Sequence, residues 1–260
     1  MHEPITDLGL TRILICNDDG ITAPGLHLLE RIARAFTDDV WVVAPETEQS
    51  GASHAITLHR PLRMRAIGER RYVVDGTPSD CVLLAINRLL HDRKPDLVLS
   101  GINRGGNLGE DVHYSGTVAA AMEGALLGVR AIAVSQVFTA PQAVRWETAE
   151  RFVPEVICKA IGMGWKRDVL INVNIPDVAP EAVCGITMAR QGKRKIGDHL
   201  EERVDPRGRP YIWIGGQRNE DRTAPGTDLE AICRGAVTVT PLCVDLTHGP
   251  TMEALRKVFP

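Results

Sequence analysis

At 260 residues, with 44% hydrophobic and 24% charged positions, the chain can bury one large core and has an ordinary globular composition. Its formal net charge of -3 argues against a dedicated nucleic-acid binder, which carries a strong positive excess. No apolar run is long enough to span a membrane and none follows a basic start, so neither a membrane segment nor a signal peptide is expected.

Arg12 to Cys16 is a short apolar run that predicts a buried strand. Gly25 to Phe36 follows with Leu26, Leu29, Ile32, Ala33 and Phe36 at helical spacing. Val40 to Ala44 reads as a second buried strand, stopped by Pro45. Pro78 suits a first helical turn capped by Thr77, in a helix running to about Leu90. Asp96 to Ser100 is the next strand, Thr117 to Leu127 an Ala-rich helix, and Ala131 to Ser135 the strand after it. A helix over about Glu147 to Ile161 leads to the strand Val169 to Ile175. Strands apolar on both faces, alternating with helices, predict a Rossmann-like α/β core over residues 1–190, with a mostly parallel sheet sandwiched by helices. Such sheets hold ligands beyond the carboxyl ends of their strands.

Residues 191–232 change texture, with charged and Gly/Pro-rich stretches around the aromatic run Tyr211 to Ile214. They predict a protruding β-hairpin or arm, too small to fold alone. Residues 233–260 supply a late strand, Ala236 to Leu242, and a short helix, Met252 to Phe259. The six cysteines form no C-x-x-C pair and read as reduced, mostly buried thiols of a cytoplasmic protein.

Asn17-Asp18-Asp19-Gly20 closes the first strand. Adjacent carboxylates converging at a bend repel unless a proton or cation lies between them. The tetrapeptide alone fits a turn as well as it fits a metal site. Two more polar, Gly-bearing loops follow neighbouring strands: Pro45 to His54, with Ser50, and Gly101 to Gly109, with Asn103 and Asn107. Two carboxylates, a hydroxyl and an amide oxygen would form an all-oxygen shell suited to Mg²⁺ or Mn²⁺. His113 to Thr117 precedes the Ala-rich helix; Ser115 and Thr117 are ordinary caps, and the same helix start can receive an anion. Lys193-Arg194-Lys195 is a basic run that reads as a solvated face or an attractor of anionic substrate. No P-loop, dinucleotide fingerprint, nucleophile-elbow or zinc pattern is present.

Taken together these segments resemble the survival protein SurE family of 5′/3′-nucleotidases. The matching stretches are Ile13 to Ile21 with Ala23-Pro24-Gly25, Val42 to Pro45 with Gln49-Ser50-Gly51, Gly76 to Cys81, Ser100 to Asn107 and Tyr114 to Val118. Asp205 to Gly208, Tyr211 to Ile214, Pro225 to Asp228 and Thr240 to Leu242 extend the match through the tail. The resemblance implies a cytoplasmic homodimer or homotetramer, joined through the C-terminal hairpin and tail. It implies one divalent ion per subunit, Mg²⁺ or Mn²⁺, on Asp18, Asp19, Ser50 and Asn103. It also implies hydrolysis of nucleoside monophosphates, with a tolerance extending to short polyphosphate. Gly106 stands where many members carry Pro, a departure that loosens the loop beside Asn103 but removes no ligand.

In the expected reaction the metal binds a phosphoryl oxygen and an attacking water, and Asp18 and Asp19 hold the metal, one of them taking the water's proton. Asn107, Ser115, Gly116 and Thr117 contact the phosphate. A rival within the same chemistry makes Ser50 the nucleophile. Other classes are a metal-dependent glycosyltransferase using a sugar nucleotide and a non-catalytic nucleotide-binding regulator. Stable nucleotide-sugar binding without monophosphate turnover would mark the first, and binding without phosphate release the second.

Overall fold

The computed structural model describes residues 1–196, 200–214 and 218–259. Its centre is a nine-stranded sheet in the order β3-β4-β2-β1-β5-β6-β7-β13-β8. The strands are β1 (Ile13–Cys16), β2 (Val40–Pro45), β3 (Met64–Gly68), β4 (Arg71–Val74), β5 (Leu97–Arg104), β6 (Arg130–Gln136), β7 (Val169–Ile175), β8 (Ile186–Met188) and β13 (Val237–Cys243). From β4 to β7 every neighbouring pair is parallel, whereas β3 runs antiparallel to β4 and β13 antiparallel to β7. Taking β1, β2, β4, β5, β6 and β7 in turn, the order is that of a doubly wound sheet, with the strand sequence reversing between β1 and β5. The expected Rossmann-like, mostly parallel α/β class is therefore what the chain adopts.

Helices α1 (Pro24–Arg34) and α4 (Trp146–Ile161) cover one face, and α2 (Pro78–Leu84) and α3 (Gly116–Leu126) the other. The pleat explains the two cores. Ile13 and Ile15 of β1 join Leu26, Leu29, Val153 and Ile157 on the first face. Leu14 and Cys16 join Cys81, Ala85, Val118 and Ala121 on the second. A π-turn over Ala85–Leu89 carries α2 almost to Leu90, as the sequence predicts. Thr77 caps it through a capping box with Asp80, which also accepts from the Thr57 amide at 2.9 Å and hydroxyl at 2.6 Å.

Two features depart from expectation. The β3–β4 hairpin extends the sheet at one edge, where no strand was expected. Cys16 and Cys81 are buried, but Cys158, Cys184, Cys233 and Cys243 are exposed, so the thiols are not mostly buried; all six are free. A side chain of two heavy atoms at a helix flank or strand end needs no apolar surroundings, and Cys158 lies on the outer side of α4.

Beyond β8 the chain forms β9 (Arg194–Ile196) paired with β12 (Arg218–Glu220), and a hairpin of β10 (Leu200–Val204) with β11 (Pro210–Ile214). Every residue of β10 and β11 is exposed. The following helix α5 (Asp228–Cys233) instead buries Leu229 and Ala231 against the body, and α6 (Gly249–Leu255) buries none of its residues. Asp228 ties these parts together: its carboxylate accepts from Gly192 N at 2.8 Å and from Gly109 N at 2.9 Å. The first residues also pack on the body, with His2 N donating to Trp165 O at 2.8 Å and Ile5 N to Ile161 O at 2.9 Å. Among the described residues no helix is long and apolar enough to cross a membrane.

Candidate active site

The site grows from the carboxyl end of β1. Asn17 turns its amide onto Gly20 O at 2.9 Å, and Gly20 takes a φ of +93°, so the chain bends sharply just past the carboxylates. Asp18 is thereby pointed inward, 4% exposed, where Thr117 Oγ1 donates to its Oδ1 at 2.5 Å. Gly116 lies against the same side chain; a Cβ there would stand 2.7 Å from Asp18 Cβ. The loop after β2 meets it through Gln49 N, which donates to Asp18 O at 2.8 Å. The loop after β5 meets Asp19 through Arg104 N, which donates to Oδ2 at 3.1 Å. Three loops from adjacent strands thus converge at the point where strand order reverses.

Each expected residue can now be placed. Ser50, beside Gln49, is exposed and donates its hydroxyl to Glu48 Oε1 at 2.8 Å, which leaves the oxygen's lone pairs available. Asn103 follows a register shift between β5 and β6 and donates through Nδ2 to Gly105 O at 2.8 Å. Its Oδ1 is therefore the atom suited to a cation. Ser115 caps α3, accepting from Val118 N at 3.0 Å. Gly116 and Thr117 form the first turn behind it. Asn107 is set differently: its hydrogen bonds run to β6 and β7 rather than to the carboxylate loop. Its Nδ2 donates to Ser135 Oγ at 2.8 Å, its N to Asn174 Oδ1 at 2.8 Å, and its O accepts from Asn172 Nδ2 at 2.9 Å and Asn174 Nδ2 at 3.1 Å. This clamp, with Gly105 N donating to Gln136 O at 2.9 Å, holds the loop that Gly106 was expected to loosen. Gly106 itself is hemmed in, since a Cβ there would stand 2.7 Å from Val137 Cγ2.

The electrostatics favour a cation. Burial pushes the Asp18 carboxyl up to about 6, against the Thr117 hydrogen bond, and the neighbouring Asp19 charge raises it further. Asp19 is also raised, by burial first and by Glu48, against the Arg104 amide. Among the described residues no basic side chain offsets Asp18. Asn17 Oδ1, next in sequence to the pair, lies buried with no hydrogen-bond partner among the described residues. A hard divalent ion suits such a set of oxygen donors. Among the described residues no group of three or more His, Cys, Asp and Glu could hold a metal, so a cation here would draw on hydroxyl and amide oxygens as well.

Sequence reasoning missed the wall beside this centre. His54 Nε2 lies 2.8 Å from Oε2 of Glu123, a largely buried residue of α3. Ser53 fastens that loop, donating through N to Tyr114 O at 3.1 Å and through Oγ to His113 O at 2.6 Å. The basic run is not simply a solvated face. Arg194 Nε lies 3.3 Å from both Asp111 and Glu220, and Lys195 Nζ lies 2.5 Å from Tyr114 Oη and 4.7 Å from its ring centre.

The fold and site define a doubly wound α/β protein with an acidic rim at its switch point, facing a helix start. A family profile described as Survival protein SurE matches residues 13–198. The chain is 62% identical to the 5′-nucleotidase SurE of Paramagnetospirillum magneticum, over 98% of each chain. It is 63% identical to that of Rhodospirillum rubrum over the full length of both. The crystal structure of the SurE protein from Aquifex aeolicus superposes with a TM-score of 0.83 at 40% identity, covering 96% of this chain and all of that one. The chain belongs to the SurE family.

Proposed function

We propose that the chain is a 5′-nucleotidase that hydrolyses nucleoside monophosphates at Asp18 and Asp19 with the help of one divalent ion. The observation that carries this reading is the buried Asp18, uncompensated by any basic side chain among the described residues and bonded to Thr117 in the first turn of α3. Asp18, Asp19, Ser50 and Asn103 would hold the ion. When bound, Mg²⁺ or Mn²⁺ would neutralise phosphoryl charge and acidify an attacking water. Thr117 orients Asp18 through its hydroxyl. Ser115 to Thr117 present the α3 start, whose free N–H groups and dipole favour the phosphate oxygens. Asp18 or Asp19, the latter held by the Arg104 amide, would accept the water's proton. Asn107 serves this site by holding the 103–107 loop and by offering its remaining amide N–H to the phosphate.

The same rim would accept 3′-monophosphates and the end of a short polyphosphate, since it is built to grip a phosphoryl group. Exposed Tyr211, Ile212, Trp213 and Ile214 on the arm, and Leu255, Val258 and Phe259 in the tail, suit burial against further copies of the chain in a dimer or tetramer. Free exposed thiols suit the reducing cytoplasm. Ser50 as nucleophile is favoured by one contact, its hydrogen bond to the Glu48 carboxylate. Phosphoserine trapped at Ser50 would establish it, and phosphate release by Ser50→Ala at a rate near wild type would remove it.

The central test is phosphate release from a panel of nucleoside monophosphates with Mn²⁺, Mg²⁺ or chelator. Metal-stimulated release is expected; no release under any metal condition would overturn the reading.

A further inference from the structure

Two charged side chains flank the candidate ion site without being expected ligands. Glu48 stands in the loop after β2, two residues before Ser50. That loop packs against the bend past the carboxylates. Ile21 N donates to Pro45 O at 2.9 Å and Gln49 N to Asp18 O at 2.8 Å, and a Cβ on Gly20 would stand 3.5 Å from Glu48 N. Arg104 closes β5 directly after Asn103, and its amide donates to Asp19 Oδ2 at 3.1 Å. Both side chains are exposed.

Glu48 acts on Ser50 through one bond, from Ser50 Oγ to Glu48 Oε1 at 2.8 Å. A hydroxyl has a single proton, so a carboxylate that takes it fixes the direction of the remaining lone pairs. Ser50 held in this way offers an oxygen to a cation rather than a proton to an anion. The guanidinium of Arg104 is held differently. Its central carbon lies 5.0 Å from the centre of the half-buried Phe138 ring, and among the described residues it makes no hydrogen bond or ion pair. Asp19 feels both charges. Burial raises its carboxyl most; the Arg104 amide lowers it, the Glu48 charge raises it and the Arg104 charge lowers it. A charge that favours a proton on a carboxylate also favours a cation beside it.

We propose that Glu48 and Arg104 are positioning residues of the divalent-ion site that act in opposite directions: Glu48 strengthens ion binding by orienting Ser50 and adding negative charge, and Arg104 weakens it with a positive charge. The inference rests on the reading that Asp18, Asp19, Ser50 and Asn103 hold one ion. It adds that the affinity of that set is tuned from outside it, by two exposed side chains on different loops.

Mn²⁺ binding to the full-length protein, measured by calorimetry without nucleotide, tests it. Glu48→Ala is expected to weaken binding about tenfold. Glu48→Gln keeps an acceptor for Ser50 but no charge, and should weaken it about threefold. Arg104→Ala keeps the amide on Asp19, and should tighten it about threefold. The effects of Glu48→Gln and Arg104→Ala should shrink in about 1 M KCl, where exposed charges are screened. In a Ser50→Ala background Glu48→Ala should cost about threefold instead of tenfold, the part carried by charge alone. Melting with chelator should be unchanged throughout, because neither side chain is buried. Equal affinity in wild type and every variant overturns the proposal and leaves the ion site standing. Shifts of the same sign at Glu48 and Arg104, or a full tenfold loss that persists without Ser50, also overturn it. So does a fall in melting temperature that accompanies the loss at Glu48, which would make this residue a strut for its loop. Wild type that binds no Mn²⁺ overturns the proposal and the metal-dependent reading together. The expected affinities without phosphate release from any nucleotide would overturn the nucleotidase reading and leave the two positioning residues in place.

Discussion

The two ends of β1 handle charge in opposite ways. At the amino end Arg12 Nε meets Asp39 at 2.8 Å, Arg12 N donates to Asp96 at 2.8 Å, and Trp41 Nε1 donates to Asp39 at 2.8 Å. Burial works against the Asp39 charge, but hydrogen bonds from Arg12 and Trp41, with the charges of Arg12 and Arg70, hold its carboxyl below the ordinary range. At the carboxyl end Asp18 is more deeply buried, lies next to another carboxylate and has a hydroxyl where Asp39 has a guanidinium. One end uses its charges to fasten strands and loops together. The other keeps a destabilised carboxylate in reserve, an arrangement expected of a site whose counter-charge arrives with a ligand.

Four experiments break or sharpen this contrast. Asp18→Asn should lower metal-stimulated kcat/KM by about 10³-fold. The same change should raise the stability of the metal-free protein at pH 7 by about 2 kcal/mol, read from thermal or urea melts with chelator. Activity near wild type would remove Asp18 from the reaction. Gly116→Ala is next: the added methyl would press on Asp18 Cβ from 2.7 Å, and a misplacement of that order should cost about 10²-fold in kcat/KM, with little change in melting.

The third concerns pH. The folded-state value of Asp18 is about 6, above its ordinary 3.8, so the folded metal-free protein holds this proton more tightly than the unfolded chain does. Its contribution is intact below about pH 4 and is lost as pH rises to about 6, by about 3 kcal/mol at most. Urea melts with chelator should show that decline, and Asp18→Asn should flatten it. The smallest effect belongs to the amino end. Asp39→Asn should cost about 1–2 kcal/mol of stability with kcat/KM within about twofold of wild type; a large loss of activity would mean the two ends are coupled.

Much of this was legible in the sequence because burial writes itself plainly into parallel strands. β1, β2, β5, β6 and β7 are apolar runs, and the polar loops after β1, β2 and β5 carry the carboxylates, Ser50 and Asn103 that the sequence singled out. The β3–β4 hairpin was hidden because β3 is largely exposed and offers no alternation of buried positions. β10, as Leu-Glu-Glu-Arg-Val, has all its residues exposed, so only its partner β11 stood out. α5 is six residues long, too short for a helical period to show. The His54–Glu123 pair joins residues 69 positions apart. Nothing in either local segment marks them as partners, so the pair emerges only from tertiary structure.

The Asn107 clamp has a consequence for how the rim behaves as conditions change. Its members, Asn107, Ser135, Asn172 and Asn174, are all neutral and none changes charge between pH 4 and pH 9. The loop that carries Asn103 is therefore anchored by a joint blind to acidity, while the carboxylates a few residues away respond to it. Protonation can empty the rim of its charge without letting the scaffold go, so the site should reassemble on neutralisation without refolding.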